Sequence, residues 1–251
     1  MLFQARGPVY LRELNTTTLV PGVAFEICPD SVSVTMSVEK WSHMNKCGAT
    51  DVEDGRGINA LSAEITFSFS HVQDKNFALA ALGTINAVGS PGTVTAEALP
   101  AGIVAGDVYF LGGKERHRTI TTLTIKDDAS PQATLTADTD YTLDAVTGKV
   151  TFLTSIGTQP YVAAYGYTDP ASVSMLTATQ KEYAFDMEYI NKQNSNDKGS
   201  LELYRVRFDP ADGLDFLSDQ QQTLTLKGSC LADTTRDSTD TEFGQFGRRV
   251  L

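Results

Sequence analysis

Few side chains in this sequence combine the residue types and the spacing that metal binding needs. His43 and Cys47 stand four residues apart and could supply two zinc ligands, but no second pair follows them, and a zinc site takes four ligands. Cysteine occurs three times, at Cys28, Cys47 and Cys230, an odd number at wide spacing. This usage is typical of reduced thiols in a chain made in the cytosol. We therefore expect a plain loop at His43 and no metal site.

Three groups of carboxylates could support calcium binding or hydrolysis. Residues 51–55 (DVEDG) lack the alternating ligands and the final glutamate of a calcium-binding hand. Turn formation is the commoner explanation for the second group, which comprises Asp138, Asp140 and Asp144. The third group comprises Glu182, Asp186 and Glu188. Paired carboxylates can act in glycoside hydrolysis, but these lie on the polar side of a predicted regular strand. Nucleotide-binding and serine-hydrolase motifs are absent, so we predict no enzyme activity and no cofactor.

Charge and length restrict the class of protein further. The 251 residues include 20 lysines and arginines against 31 acidic residues, which gives a net charge of -11. Binding to nucleic acid needs a positive stripe that displaces counterions, so this acidity argues against a protein that grips DNA or RNA. No apolar run approaches the roughly 18 residues of a membrane helix, and residues 1–6 (MLFQAR) lack a signal-peptide core. We expect neither secretion through a cleaved signal nor membrane association.

The clearest pattern is strict alternation of polar and apolar residues, which predicts strands with one buried and one hydrated face. It is cleanest in residues 31–39, 61–70 and 182–190. Less regular strands are expected at 8–14, 200–208 and 222–231. The apolar positions of the clean strands should pack beneath the sheet and against a helix; they include Val32, Val34, Met36, Ile65, Phe67, Phe69, Phe185 and Met187.

Helical patterns are short. Residues 75–82 are predicted to form a helix that Asp74 caps and Gly83 ends. A short turn of helix is expected at 210–218, with Pro210 at its first position. Residues 42–58 (SHMNKCGATDVEDGRGI) should form a long loop between two strands, and loops of that length usually have a function.

The composition changes at about Asn86, and from there to about Pro170 short strands alternate with turns rich in Gly and Pro. We predict a discontinuous β-domain of residues 1–85 and 171–232, an inserted β-domain of residues 86–170, and a C-terminal arm of residues 233–251. The polar arm should order only against a partner. The predicted fold class is therefore mainly β, a sandwich or barrel with one flanking helix and a small inserted sandwich or barrel.

The hydrated faces of the three clean strands carry Ser, Thr, Glu and Asp, whereas Lys and Arg are nearly absent from them. Such a surface stays hydrated and mildly repels a polyanion, because contact with it releases no counterions. A pore that passes DNA without holding it would have this lining.

The order of these parts resembles the major tail tube protein of long-tailed (siphovirus-like) bacteriophages. The matching segments cover roughly 1–85 and 171–251; they are SVSVTMSVEKW, SHMNKCGATDVEDGRGI, NALSAEITFSFSHV, DKNFALAALG, KEYAFDMEYI, SLELYRVRFDP, TLTLKGSC and the polar arm. The insert looks like an accessory surface domain, and its YTLDAVTGKVTF stretch is similar to a strand-turn-strand phrase common in phage structural proteins.

The resemblance implies a structural protein of the virion that is assembled in the host cytoplasm. Homo-hexameric rings would stack into a tube whose lumen holds the tape measure protein and later conducts DNA, with the tail terminator and distal tail proteins as further partners. The residues expected to face the lumen are Ser31, Ser33, Thr35, Ser37, Glu39, Ser62, Glu64, Thr66, Ser68, Glu182, Asp186 and Glu188. Those expected between rings are Trp41, His43, Lys46, Asp51, Glu53, Asp54, Arg56, Phe243, Phe246, Arg248 and Arg249.

Several alternatives stay open on the sequence alone. Another virion β-protein, such as a capsid decoration or baseplate component, would share the strand pattern. A carbohydrate-binding surface protein would use an aromatic cluster, and Tyr161, Tyr165 and Tyr167 share one strand parity in the insert. Trp41, the only tryptophan, is either a buried anchor at the base of the loop or a contact to the next ring.

Overall fold

A computed structural model describes residues 5–47, 50–70, 73–213 and 223–250. The chain is mainly β with one helix in the described residues, and its sheets are antiparallel, which confirms the predicted fold class; no closed barrel is present in these ranges. It forms two compact units, Met1–Ile85 with Val173–Leu251 and, separately, Asn86–Ser172. The division at Ile85 is the one expected from composition, and the return to the first unit comes two residues after the expected position.

The first unit is built on one large antiparallel sheet. Its strands are β1 (Ala5–Arg6), β2 (Val9–Leu14), β3 (Pro21–Ile27), β4 (Ser31–Asn45), β5 (Val52–Phe69), β14 (Tyr183–Asn191), β15 (Asn194–Phe208), β16 (Leu224–Cys230) and β17 (Gly247–Val250). They run in the order β3-β2-β14-β15-β16-β5-β4, with β1 added to β14 and β17 added to β15. Strands β4 and β3 therefore lie at the two ends of this order.

Alternation along these strands places one face in a core, as the sequence predicted. Ile65, Phe67 and Phe69 of β5 are fully buried together with Phe185 of β14 and Leu226 of β16. The rings of Phe67 and Phe69 meet edge to face at 5.1 Å, a favourable aromatic geometry. Val32, Val34 and Met187 pack against this core while partly exposed. The prediction is wrong for Met36, which is 80% exposed, because β4 and β5 extend beyond the core.

Helix α1 (Asp74–Ala80) overlaps the predicted segment 75–82 but begins one residue earlier and ends two residues earlier. Gln73 is its N-cap, so Asp74 is the first helical residue. The negative charge of Asp74 interacts favourably with the positive end of the helix dipole. Leu82 has a positive φ of 45°, and the Gly83 N–H donates to the carbonyl of Ala78, which ends the helix. Of the second predicted helix, residues 210–213 are not helical and residues 214–218 lie outside the described residues.

The predicted loop at 42–58 is wrong, because most of it is the outer part of a long hairpin. Strands β4 and β5 pair from Ser31 opposite Ser68 to Asn45 opposite Val52, which leaves only residues 46–51 between them. The register shifts twice, between Glu39 and Lys40 and again between His43 and Met44. Each shift interrupts the alternation of polar and apolar residues. The outer parts of β4 and β5 therefore lack the sequence pattern that predicts a strand.

The second unit is a small β-sandwich. Its strands are β7 (Gly92–Ala98), β8 (Val108–Phe110), β9 (Thr122–Lys126), β10 (Tyr141–Asp144), β11 (Lys149–Phe152) and β12 (Val162–Tyr167). They form two sheets in the orders β10-β11-β8 and β7-β12-β9. Phe152, Ile125 and Tyr161 are fully buried in its core. Where the chain passes between the units, β6 (Thr84–Asn86) pairs with β13 (Ser172–Ser174) as a separate two-stranded sheet.

Candidate functional site

One polar surface extends without interruption over four neighbouring strands of the first unit. Residues paired across antiparallel strands project to the same side, so the register assigns them to rows. The rows are Ser31–Ser68–Thr225, Ser33–Thr66–Lys227, Thr35–Glu64–Ser229–Arg207, Ser37–Ser62 and Glu39–Ala60. We call this side of β4, β5, β16 and the end of β15 the hydroxyl face.

The hydroxyl face is open to solvent over its whole width. Its β4 residues are all exposed, whereas Ile65 and Phe67, on the other side of β5, have no exposed area. The hydroxyl oxygens of Ser31 and Ser68 lie 2.8 Å apart and form a cross-strand hydrogen bond. Every predicted lumen residue on β4 and β5 therefore lies on one continuous, solvent-accessible surface. Whether that surface faces a lumen depends on an assembly and stays a prediction.

Two basic residues also lie on the hydroxyl face, which the strand patterns did not indicate. Lys227 is paired with Thr66, and Arg207 with Ser229. The Lys227 ammonium lies 2.8 Å from the Asp212 carboxylate. This hydrogen bond raises the pKa of Lys227, and the negative charges of Asp212, Glu64 and Asp209 also act on it.

The three carboxylates predicted in residues 182–190 differ in exposure and are not members of the rows that define the hydroxyl face. Glu182 is buried and forms ion pairs with Arg205 at 2.9 Å and with Arg207 at 3.4 Å, so its assignment as an exposed lumen residue is wrong. Asp186 is half-buried and binds Arg12 at 2.7 Å. Glu188 is exposed, but β14 pairs with β1, β2 and β15 and contributes no row to the hydroxyl face.

The end of the β4–β5 hairpin carries the residues expected to lie between rings. Trp41 is 50% exposed, and its indole covers Gly55 and Gly57, which excludes the buried-anchor alternative. His43 contacts Asp54, and Arg56 binds Glu53 at 2.8 Å. Lys46 directly follows β4, Asp51 directly precedes β5, and both are exposed. These side chains are accessible, and their contact with another subunit stays a prediction.

The side of the hairpin opposite the hydroxyl face is apolar and uncovered toward its tip. Beyond the core, Met36, Val38, Ile58 and Leu61 are all at least 43% exposed. Lys40 lies opposite Ile58 and is the charged residue of this stretch. An apolar strip on a projecting hairpin is a usual sign of a protein–protein contact.

The C-terminal arm is ordered against its own chain, so the expectation that it needs a partner is wrong. Strand β17 pairs with β15, from Gly247 opposite Leu203 to Val250 opposite Ser200. Arg248 binds Glu202 at 2.8 Å and lies 4.3 Å from the Phe243 ring, and Phe246 packs against the core. Arg249 donates to the hydroxyl of Tyr189 at 2.6 Å. These four residues are engaged within the subunit rather than presented to a neighbouring ring.

Of the three tyrosines that favoured a carbohydrate site in the insert, two are core residues and the third packs against the core while partly exposed. Tyr161 and Tyr165 are buried, and Tyr167 stacks on His117 at 3.6 Å. The hydroxyls of Tyr165 and Tyr109 donate to the two carboxylate oxygens of Glu97. Burial, together with this carboxylate, raises the pKa of Tyr109 to about 12 and also raises that of Tyr165. No exposed aromatic platform is formed by these three side chains.

A cavity of about 320 Å³ lies beside α1 and is lined by Glu13, Phe25, Lys75, Lys181 and Tyr183 among others. Burial, followed by the charge of Glu13, raises the pKa of Tyr183 to about 12. Lys181 is bound to Glu13 at 2.9 Å. The described residues contain no group of three or more His, Cys, Asp or Glu side chains that could hold a metal ion. None of the described helical segments has the length and apolarity to cross a membrane.

Comparison with known proteins gives a family but no named relative. No curated protein matches the sequence. A family model described as "Protein of unknown function UCP028589" matches residues 2–250, which is nearly the whole chain. The chain therefore belongs to this family of unknown function.

Proposed function

We propose that this protein is a structural subunit that assembles into stacked rings, and that these rings form the tail tube of a long-tailed bacteriophage. The hydroxyl face would line the channel, hold the tape measure protein during assembly and let DNA pass during ejection. The observation that carries the proposal is the hydroxyl face itself, a solvent-accessible and unbroken polar surface bordered by a long open strand. Tail terminator and distal tail proteins would close the two ends of the tube.

The open strand is the first supporting feature. Strand β4 ends the sheet order, and in the described residues its outer edge has no strand partner along the length Ser31–Asn45. Unpaired edges of this length promote pairing with another chain unless charges, prolines or a covering element block them. Apart from Glu39 and Lys40, β4 carries no formally charged side chain, and it has no proline. Pairing of this edge within a ring of identical subunits would remove the exposed edge.

The chemistry of the hydroxyl face is the second supporting feature. Serine and threonine hydroxyls keep the surface hydrated, and Glu39 and Glu64 add negative charge. These hydroxyls and carboxylates give a phosphate backbone no counterion-releasing contact. Closed into a ring, it would surround DNA without binding it.

The outer hairpin is the third supporting feature. Its apolar strip, Met36, Val38, Ile58 and Leu61, extends beyond the core of its own subunit. Burial of this strip against an adjacent subunit would stabilise the assembly by about 25 cal/mol for each Å² of apolar surface removed from water.

Negative-stain electron microscopy of the purified protein tests the proposal. We expect hollow rings or tubes, and a sedimentation profile well above that of a monomer. The double substitution Met36→Glu with Val38→Glu should abolish assembly, because it places charges in the apolar strip. Ser37→Glu, on the opposite side of the same strand, is the matched control and should still assemble. A wild-type protein that stays monomeric at high concentration would refute the ring.

A further inference from the structure

The hydroxyl face is not free of positive charge, although its alternating strands suggest that it is. In its described rows, Lys227 and Arg207 are the basic residues. They come from β16 and β15, where alternation is less regular than in β4 and β5. Both side chains are partly accessible, with exposed fractions of 57% for Lys227 and 41% for Arg207.

Carboxylates accompany each of these two cations. Asp212 holds the Lys227 ammonium at 2.8 Å, and Glu64 and Asp209 are close enough to influence its charge. Glu182 lies 3.4 Å from the Arg207 guanidinium and is shared with Arg205 at 2.9 Å. Gln180 accepts a further hydrogen bond from Arg207 at 3.1 Å. Asp212 is mostly exposed and Glu182 is buried, so the two carboxylates come from different environments.

For the exposed pair of Asp212 and Lys227, the effect on surface potential exceeds the effect on stability. An exposed ion pair contributes only about 0–1 kcal/mol to folding. The opposite charges of Asp212 and Lys227 nevertheless cancel beyond a screening distance of roughly 8–10 Å, so that an approaching phosphate meets no net positive charge there. Glu182 reduces the positive charge of Arg205 and Arg207 together by one. An uncovered lysine at the same place would bind a phosphate and release a counterion.

We propose that Asp212 neutralises Lys227, that Glu182 offsets part of the positive charge of Arg207, and that both carboxylates thereby keep the hydroxyl face from retaining DNA. The inference rests on the proposed function, in which DNA passes along the hydroxyl face. It adds that low adhesion depends on individual carboxylates placed beside individual cations, and not only on the overall acidity of the chain.

The test compares DNA binding by matched variants of the purified chain. Fluorescence anisotropy with a short labelled duplex, at about 50 mM salt, measures the apparent affinity. Asp212→Asn should raise this affinity at least about threefold over the wild type, and the gain should shrink as salt is added. The double variant Asp212→Asn with Lys227→Gln should return to the wild-type value. Thr225→Lys, which adds an uncovered cation on the same face, provides the positive reference.

A second pair of variants addresses Arg207. Glu182→Gln should also increase DNA binding, and Glu182→Gln with Arg207→Gln should reverse the increase, with circular dichroism used to select folded protein. If Thr225→Lys gains affinity and Asp212→Asn does not, neutralisation by Asp212 is overturned. If Asp212→Asn gains affinity through Lys227 while microscopy finds no rings, the charge inference stands and the ring proposal falls. Rings together with unchanged DNA binding by Asp212→Asn would support the ring proposal and overturn the charge inference.

Discussion

The indole of Trp41 lies across Gly57, its partner on the opposite strand of the hairpin, so closely that a Cβ on residue 57 would overlap the indole nitrogen. Gly55 lies two residues before Gly57 on the same strand, and a Cβ there would lie 3.4 Å from the same ring. Gly57 is therefore required for the present position of the indole, whereas Gly55 leaves room for a methyl group.

Gly57→Ala should displace the indole and destabilise the outer hairpin by about 1–3 kcal/mol, the usual cost of overpacking. Because Trp41 is the only tryptophan, its fluorescence reports this change without interference from other sites. We expect a red-shifted emission and lower protection of the hairpin amides from hydrogen exchange. Gly55→Ala is the control and should leave the emission nearly unchanged; equal effects of the two substitutions would contradict the packing described above.

Glu182→Ala should cost about 3–5 kcal/mol of unfolding free energy, because it leaves Arg205 and Arg207 without their buried carboxylate. Urea denaturation followed by circular dichroism measures this loss. Glu13→Ala removes the exposed pair with Lys181 and should cost no more than about 1 kcal/mol. Comparable losses in the two variants would show that Glu182 is not the centre of a buried charge cluster.

Cys230 should resist thiol reagents that modify Cys28 and Cys47. Burial, with a further contribution from the charge of Glu64, raises the pKa of the Cys230 thiol to about 11, whereas the other two cysteines are exposed. A group whose pKa is raised on folding favours the protonated folded state, so its stabilising effect is complete below pH 9 and is lost as the pH approaches 11. Mass spectrometry after maleimide labelling at neutral pH should find two modified cysteines.

The same raised pKa predicts that Cys230→Ala has a flatter stability profile than the wild type between pH 9 and pH 11. Urea titrations at several pH values provide the comparison. Rapid labelling of Cys230 in the folded protein, or identical pH profiles, would count against burial of this thiol.

Glu97→Ala should destabilise the insert, because it leaves the hydroxyls of Tyr109 and Tyr165 and the N–H of Gly112 without their shared acceptor. Each buried polar group left without a partner costs about 1–3 kcal/mol. Hydrogen exchange on the full chain locates the loss, which should concentrate in β8 and β12. Glu115→Ala, at a mostly exposed carboxylate, is the control and should leave exchange in these strands unchanged.

The sequence was most informative where alternation was unbroken. In β4 and β5 the pairing of Ser33 with Thr66 and of Thr35 with Glu64 follows directly from the two polar faces. The helix was found because its apolar residues recur at helical spacing before Gly83. Local patterns of this kind depend on near neighbours and can be recognised without knowledge of the whole fold.

The predictions are wrong where segments distant in sequence determine whether a side chain is buried or exposed. Glu182 looked hydrated because its own strand alternates, but Arg205 and Arg207 from β15 enclose it. Met36 looked buried for the same reason, although the core ends before it. The arm looked independent because its contacts are ion pairs and ring contacts to β15, and such contacts leave no periodic pattern in the sequence.

The pairing of β6 with β13 has a consequence for how this family can diversify. The chain departs toward the insert and returns from it on two adjacent strands, so the two ends of the intervening segment are already held together. Closing a short connection at that point would cost little extra entropy, and the cost rises only slowly as the connection lengthens. A single recombination event between β6 and β13 could therefore remove, exchange or enlarge the intervening segment, while the coding sequence for the first unit stays unchanged.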